Sequence, residues 1–359
     1  MDTAGERITL VVIYGGQSAE HDVSCVTAAH VLAAADPARY RTVPVAISRD
    51  GRWHSPALAE LPGGGIDPRA LPSRLSTDGP STHTDIISTA AESSTTVVVP
   101  LVHGPLGEDG TLQGLLEIMG VAYVGSGVLS SALAMDKVMA KTVFARAGIP
   151  QVRFDSLRDD RIEPAALGRI ARDLSYPLFV KPANMGSSVG VMKAHSLDEL
   201  VAGAEAAASY DEWVIFEEAV TARELEVAVI GNRTPRASVV GEIIPANEFY
   251  DYEDKYVSGS ATLEIPARLT EEQSAEIRSL ALRAYATLRC EGMARVDFFF
   301  EENGRGFLCN EINTIPGFTP ISMYPKLWEA SGLPYSALID ELVDHARERH
   351  SRRKTNTAR

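Results

Sequence analysis

The stretch ARVDFFFEENGRGFLCNEIN, residues 294–313, contains two runs of strand-forming residues separated by Glu-Glu-Asn-Gly-Arg. Aromatic and aliphatic runs around an Asn-Gly pair predict a β-hairpin. A three-residue loop at 303–305 would place Asp297 directly opposite Glu311. Two carboxylates facing each other across a sheet repel, so this register requires something positive between them.

The same register pairs Arg295 with Asn313, and the two-residue period of a strand puts all four side chains on one face. Carboxylate and amide oxygens suit a hard divalent cation. The hairpin therefore predicts a metal site formed by Asp297, Glu311 and Asn313. The alternative is a solvated acidic face on which Arg295 is the counter-ion.

Toward the N-terminus, Ile8–Tyr14 and Thr96–Val102 are apolar runs that each lead through a glycine loop into an amphipathic helix. Repeated strand–loop–helix units predict a doubly wound α/β domain, residues 1–125. The segment 55–95 is rich in Pro, Gly, Ser and Thr, which predicts a partly ordered insertion or a flexible loop. We do not expect it to touch the chemistry.

The remaining sequence predicts two α+β domains. A helix over Ser130–Ala147, strands around the loop KPANMGSSVG and a strand in EWVIFEEAV form the central domain, 126–219. The third domain, 220–345, contains the hairpin and a helix that begins at Thr270. Residues 346–359 carry six Lys or Arg against one acid, which predicts a frayed, solvated tail.

Several charged residues outside the hairpin are candidates for ligand binding. Lys181 ends an apolar strand before a Gly/Ser loop, a pattern that suits phosphate, although neither a P-loop nor GxGxxG is present. Lys137 is a second candidate, with surface solvation as the favoured alternative. Glu217 and Glu218 end a strand at the domain boundary, where either a ligand crevice or a solvated strand end is consistent with the sequence.

Composition narrows the classes of function. The 359 residues carry 48 acids and 34 bases, a net charge of −14, which argues against nucleic acid as the partner. Three cysteines without metal-type spacing fit a reducing compartment. Neither a typical signal peptide nor a window of roughly 18 apolar residues is present, so we expect a cytoplasmic protein with no membrane partner.

Seven motifs together resemble the D-alanine–D-alanine ligases of the ATP-grasp superfamily, and the resemblance covers all but 55–95 and the tail. In order they are GGQSAEHDVS, HGPLGEDGTLQG, GSG…SALAMDK, VKPANMGSSVG, FYDYEDKY, ARVDF and NEINTIPGFTP. The resemblance implies the ATP-grasp fold, in which the doubly wound domain precedes two α+β domains that clasp ATP. It further implies joining of two D-alanines through a D-alanyl phosphate for peptidoglycan, two Mg²⁺ ions (or Mn²⁺) and a homodimer.

The resemblance also assigns roles to residues. For ATP, it implies phosphate contacts from Lys137 and Lys181, adenine contacts from Glu217 and the backbone of Glu218 and Val220, and a ribose contact from Glu224. For the metals, it implies Asp297, Glu311 and Asn313. For the first D-alanine, it implies Glu20 and His103 at the ammonium, with Arg295 and the Gly317 N–H at the carboxylate or oxyanion. For the second, it implies Ser322 and Lys255.

The aromatic and charged stretch FYDYEDKY, residues 249–256, would belong to a lid loop over 246–260. A hydrogen-bonded link of Glu20, Ser187 and Tyr256 would hold this lid closed over the reactive intermediate.

Two other classes of function stay open at this stage. One is a ligase that joins D-alanine to D-lactate or D-serine, which Tyr256 would discriminate, or another ATP-grasp amino-acid ligase. The other is a catalytically silent nucleotide-binding or regulatory protein. Intact Arg295, Asp297, Glu311 and Asn313 argue against the silent class.

Overall fold

The computed structural model describes residues 7–56, 74–79, 95–244, 262–319 and 321–355. The predicted lid loop 246–260, with Lys255 and Tyr256, lies outside the described residues, as does most of the predicted insertion. Three sheets form the frame of the described part. Within that part, no helix is long and apolar enough to cross a bilayer.

The first sheet has the strand order β3-β2-β1-β4-β5 and confirms the predicted doubly wound unit. Its elements are β1 Ile8–Gly15, α1 His21–Ala34, β2 Tyr40–Ile47, β3 Trp53–His54, β4 Thr96–Pro100, α2 Thr111–Ile118 and β5 Ala122–Tyr123. The pairs β1–β2, β1–β4 and β4–β5 are parallel, and β3 is an antiparallel edge. β1 is apolar throughout because both of its faces are covered.

Because β1 and β4 are neighbours whose chains leave the sheet at the same edge, the loops after them meet there. This is where ligands bind in open α/β sheets.

The second sheet is antiparallel, with the order β6-β9-β7-β8. Its elements are β6 Phe154–Arg158, α5 Pro164–Leu174, β7 Leu178–Pro182, β8 Met192–Ala194, α6 Leu197–Ala208 and β9 Trp213–Glu218. The glycine loop 183–191 connects β7 to β8, as the sequence predicts. Apolar faces of α5 and α6 pack on one side of this sheet and leave the other side open.

The third sheet, β12-β11-β10-β13-β14, is also antiparallel. Its elements are β10 Arg223–Gly231, β11 Arg236–Ile244, β12 Thr262–Glu264, α7 Glu271–Thr287, β13 Gly292–Glu301 and β14 Gly306–Asn313. Val296, Phe298 and Phe300 of β13 are buried, while the alternate positions are half-buried and face away from the core. The helix α7 begins after Thr270, as predicted, and Thr270 and Gln273 form a capping box at its start.

The predicted helix Ser130–Ala147 is in fact two helices, α3 Val128–Met135 and α4 Lys137–Arg146. Asp136 separates them because its side chain caps α4, with 3.0 Å bonds from the amides of Val138 and Met139. Although both helices lie in the predicted central domain, their buried residues pack in one cluster with the third sheet.

The predicted frayed tail is wrong for residues 346–355, which continue the helix α9 Tyr335–Thr355. Arg349 is 3% exposed and donates to the carbonyl oxygens of Gly125 and Tyr123, with its guanidinium 4.2 Å from the Tyr123 ring centroid. Arg352 pairs with Glu291. Arg349 therefore anchors α9 to the first sheet, and Arg352 anchors it to Glu291 just before β13.

We expect Arg349→Met to destabilise the protein. Methionine keeps much of the aliphatic volume but leaves two buried carbonyl oxygens unpaired, at a cost of about 1–3 kcal/mol each. Arg347→Met on the exposed side of α9 is the matched control and should change the free energy of unfolding by less than about 0.5 kcal/mol. Urea denaturation measures both; equal stability of the two variants would contradict an anchoring role.

Candidate active site

A cleft of about 810 Å³ opens between the three sheets. Every predicted site residue that the structure describes lines it. They are Glu20, His103, Lys137, Lys181, Ser187, Glu217, Glu218, Val220, Glu224, Arg295, Asp297, Glu311, Asn313, Gly317 and Ser322. Residues distant in sequence therefore converge on one volume large enough for a nucleotide and a small substrate.

The hairpin has the predicted register at the cleft: Arg295 pairs with Asn313 and Asp297 with Glu311. The loop and the strand pairing that produce this register differ from the prediction. The loop is 302–305 rather than three residues, and a bulge at Asn310 restores the alignment.

Arg295 neutralises Asp297 in the structure through two hydrogen bonds of 2.7 Å, from Nε and from an Nη. Its Nε is also 3.0 Å from Glu226 on β10. Burial alone would lower the pKa of Arg295, but Asp297 and Glu226 raise it well above its usual value. The guanidinium is therefore a permanent, oriented cation at the base of the cleft. Arg295 is thus the counter-ion of Asp297, as the alternative expects, but this pair is not solvated, since both of its side chains are at most 20% exposed.

The oxygen atoms on this face of the hairpin suit the predicted metal ion. Among the residues that the structure describes, no group of three or more His, Cys, Asp or Glu side chains is arranged to hold a metal. Asp297, Glu311 and Asn313 nevertheless offer carboxylate and amide oxygens from adjacent strands, the ligand type that Mg²⁺ prefers. Asn313 Oδ1 also accepts from the amide of Ile315 at 3.0 Å, which fixes the turn after β14.

A buried ion cluster lies at the end of the second sheet. Glu217 on β9 is 2% exposed, and its carboxylate joins Lys181 Nζ at 2.6 Å to Lys141 Nζ at 3.0 Å. Burial raises the pKa of Glu217, but the two lysines lower it more, to about 2. Burial lowers the pKa of Lys181, and Glu217 more than reverses that shift. Glu217 is therefore ionised, and the solvated reading of this strand end is wrong.

Lys137, at the first position of α4, is not a solvated surface lysine. Its Nζ donates to the carbonyl oxygen of Met185 in the glycine loop at 2.7 Å and lies 3.8 Å from Glu311. The side chain is 15% exposed and reaches the cleft. Lys137 and Lys181 thus line the same cleft from different elements, an arrangement that suits phosphate.

Glu20 and Ser187 connect the first sheet to the glycine loop. Ser187 Oγ donates a short hydrogen bond to Glu20 Oε1. Ser187 and Ser188 both have positive φ, an uncommon conformation for serine that occurs at functional loops. A Cβ at Gly186 would lie 2.7 Å from Glu20 Oε2, so only glycine leaves this carboxylate in place.

His103 is buried in the loop after β4. Its Nδ1 is 3.7 Å from Glu108 Oε1, and the other oxygen of Glu108 accepts from the Gly104 amide at 2.8 Å. Burial alone would lower the pKa of His103, but Glu108 and Glu20 give it a net upward shift. The imidazole therefore lies between Glu108 at Nδ1 and Thr27, whose Oγ1 is 3.5 Å from Nε2.

The remaining predicted residues contribute mainly backbone or short polar groups. The Glu218 carboxylate forms ion pairs with Arg153 at 2.7 Å and Arg305 at 2.5 Å. This agrees with the prediction that only the backbone of Glu218 contacts adenine. Ser322 Oγ accepts from the Thr319 amide at 3.0 Å and would lie 2.9 Å from a Cβ at Gly317.

Several polar or charged residues in or near the cleft were not predicted, among them Glu108, Lys141, Glu226 and Asn310. Spacing could have indicated two of them. Lys141 is one helical turn after Lys137, and Glu226 is two residues after Glu224 on the same strand face. Arg74 also lines the cleft, so the expectation that 55–95 lies away from the site is wrong at this residue.

Known proteins resemble this chain over almost its whole length. A family model described as D-ala D-ala ligase N-terminus matches residues 9–126, which include 55–95. A second, described as D-ala D-ala ligase C-terminus, matches residues 143–344. The chain is 44% identical over 367 residues to a D-alanine–D-alanine ligase of Geobacillus thermodenitrificans, with 96% of this chain and 97% of that protein covered.

Two solved structures agree over nearly all of both chains. The D-alanine-D-alanine ligase from Coxiella burnetii has a TM-score of 0.79 and 35% identity, covering 98% of this chain and 97% of that one. The VanG D-Ala:D-Ser ligase from Enterococcus faecalis has a TM-score of 0.78 and 32% identity, covering 95% and 100%. This chain therefore belongs to the D-alanine–D-alanine ligase family, the ATP-grasp enzymes that form a carbon–nitrogen bond.

Proposed function

We propose that this enzyme joins two D-alanines into D-alanyl-D-alanine at the expense of ATP, for peptidoglycan precursor synthesis. The observation that carries the proposal is the single cleft in which the first-sheet residues Glu20 and His103 face the glycine loop and the hairpin. Family membership supports the same reaction.

In the first step, a carboxylate oxygen of the first D-alanine attacks the γ-phosphorus of ATP, and the bond to the β-phosphate oxygen breaks to release ADP. Lys137, which contacts the glycine loop, and Lys181, which lines the same cleft, would neutralise the phosphate charge. Glu217 would accept from the adenine amine, with the backbone of Glu218 and Val220 beside it and Glu224 at the ribose.

Asp297, Glu311 and Asn313 would hold two Mg²⁺ ions, with Mn²⁺ as a substitute. Bound there, the metal would neutralise charge on the transferring phosphate. Arg295 donates to both oxygens of Asp297 in the structure, so a metal there would either share this carboxylate with the guanidinium or displace it. Glu226, 3.0 Å from the Arg295 Nε, would then keep the guanidinium in place.

In the second step, the amine of the second D-alanine attacks the acyl carbon, and phosphate leaves as the tetrahedral oxyanion collapses. Arg295 and the Gly317 N–H would stabilise that oxyanion. Glu20, held by Ser187 and close to His103, would bind the ammonium of the first D-alanine. Ser322 would bind the carboxylate of the second; roles of Lys255 and Tyr256 at the second subsite stay sequence-based proposals.

The direct test is phosphate release with ATP, Mg²⁺ and D-alanine, with the product identified by mass spectrometry. D-Serine and D-lactate are offered in competition, because a D-Ala:D-Ser ligase shares the fold. Dipeptide of D-alanine as the main product supports the proposal. A mixed product would establish the alternative ligase, and binding of ATP without turnover would establish a silent protein.

We further propose three domains, 1–125, 126–219 and 220–345, with α3 and α4 as a connection that packs on the third sheet. A homodimer in the cytoplasm, with no nucleic-acid partner, fits the family and the net charge of −14. Cys25, Cys290 and Cys309 are unpaired and buried, in keeping with a reducing compartment.

The Gly186→Ala variant tests the first D-alanine subsite. The new Cβ would displace the Glu20 carboxylate, the end of a flexible side chain, without changing the fold. We expect KM for the first D-alanine to rise about tenfold, the effect of roughly 1.4 kcal/mol, while ATP affinity is unchanged. Gly114→Ala, where a Cβ would meet nothing within 4 Å, is the control. Unchanged D-alanine kinetics in Gly186→Ala would remove Glu20 from the subsite.

The Glu311→Gln variant tests the metal site. Catalysis should be lost and calorimetric Mg²⁺ affinity in the presence of ATP should fall, because one carboxylate ligand is replaced by a weaker amide. Stability without metal should change by less than about 1 kcal/mol, since lost attraction to Lys137 offsets relieved repulsion from Asp297. Wild-type Mg²⁺ affinity in this variant would contradict the assignment.

A further inference from the structure

Lys141 is a fully buried lysine for which the reaction as described has no use. Its side chain is 1% exposed, and its Nζ lies 3.0 Å from Glu217 Oε1. Lysine is almost never so deeply buried unless it is paired, because removing an ammonium from water is costly. Lys181 contacts the other oxygen of the same carboxylate and lines the cleft, whereas Lys141 is not among the residues that line it.

We propose that Lys141 is a positioning residue: it keeps Glu217 ionised and fixed as the acceptor for the exocyclic amine of the purine, and so makes the enzyme selective for adenine over 6-oxopurine nucleotides. This inference rests on the proposed nucleotide-dependent function and assigns the base selectivity of that site.

We expect Lys141 and Lys181 to have different roles once nucleotide is bound. Lys181 lines the cleft, and we expect it to turn from Glu217 to the phosphates. Glu217 would then be a buried carboxylate that had lost one of its two counter-ions. Lys141, on the far side of Glu217 from the cleft, cannot follow the phosphates and stays as the permanent partner. Its position four residues after Lys137 on α4 puts it one turn deeper along the same helix.

The surroundings of Glu217 offer little other compensation. Its cross-strand neighbours are Phe154 on β6 and Phe179 on β7. Lys141 from α4 and Lys181 from β7 are the charged groups that act on its ionisation. Lys181 in turn faces Glu311 and Glu224, and Lys141 faces the Cys309 thiol, whose pKa burial raises to about 12. Cys309 is therefore neutral and does not replace Glu217 as a partner.

The protonation state of Glu217 decides which base fits. An ionised carboxylate accepts from the adenine amine and repels the oxygen of a 6-oxopurine. A protonated carboxyl can donate to that oxygen and so accepts either base. Without Lys141, burial would raise the pKa of Glu217 once Lys181 turns to the phosphates, and discrimination would weaken.

The test is calorimetric binding of ATP and of inosine triphosphate to wild type and to Lys141→Met, without D-alanine, from pH 6 to 9. We expect the wild type to prefer ATP throughout. In Lys141→Met the preference should fall roughly 10- to 100-fold at pH 6, the range of one hydrogen bond to a charged group, and recover partly at pH 9. Lys141→Arg should retain the preference, and Lys326→Met on α8 (Met323–Ala330), away from the cluster, should match wild type.

If Lys141→Met does not fold, the double variant Lys141→Met/Glu217→Gln replaces it in the test, because it removes both charges together. Its amide can accept from adenine or donate to a 6-oxo group, so we expect a weak preference that does not change with pH. If Lys141→Met binds both nucleotides more weakly by the same factor, or keeps the wild-type ratio at pH 6, Lys141 is structural and the inference is wrong. A double variant with the full wild-type preference would also overturn it. Failure of the wild type to bind ATP would instead remove the proposed function itself.

Discussion

The geometry of the cleft depends on one continuous apolar core that joins the first sheet to α8 Met323–Ala330 and α9. Leu10 and Val12 of β1 lie in the same cluster as Tyr324 and Trp328 of α8. Glu20 follows β1 directly, and the loop with Gly317 and Ser322 leads into α8. Burial of this core therefore sets the distance between the two ends of the substrate site. Arg349 adds a polar anchor at the far end of α9.

Inside the cleft, oppositely charged side chains pair with one another. Lys181 is paired with Glu217, and Asp297 is paired with Arg295. In each pair one member also has a second partner of opposite charge, Lys141 for Glu217 and Glu226 for Arg295. Ligand binding can thus exchange partners without leaving a buried charge unpaired, which would be strongly destabilising. This arrangement explains why residues absent from the reaction scheme occupy the interior of the site.

The sequence predicts those parts of the fold and of the site that local sequence patterns determine. The register of Asp297 and Glu311 follows from hairpin patterning, although a bulge at Asn310 offsets an incorrect loop length. The bulge itself was not predictable, because its pairing depends on the neighbouring strand. The break at Asp136 is a capping effect hidden inside an otherwise helical pattern. Lys141 and Arg349 were missed because long cations are usually exposed, and their burial depends on partners supplied by distant segments.

The most direct measurement uses D-alanine labelled with ¹⁸O in its carboxylate, together with unlabelled ATP. If the carboxylate attacks the γ-phosphorus and phosphate later leaves from the acyl carbon, one labelled oxygen is transferred for each turnover. Our account predicts that mass spectrometry finds one ¹⁸O in each released phosphate and a dipeptide of two D-alanines. Unlabelled phosphate formed alongside dipeptide would contradict it.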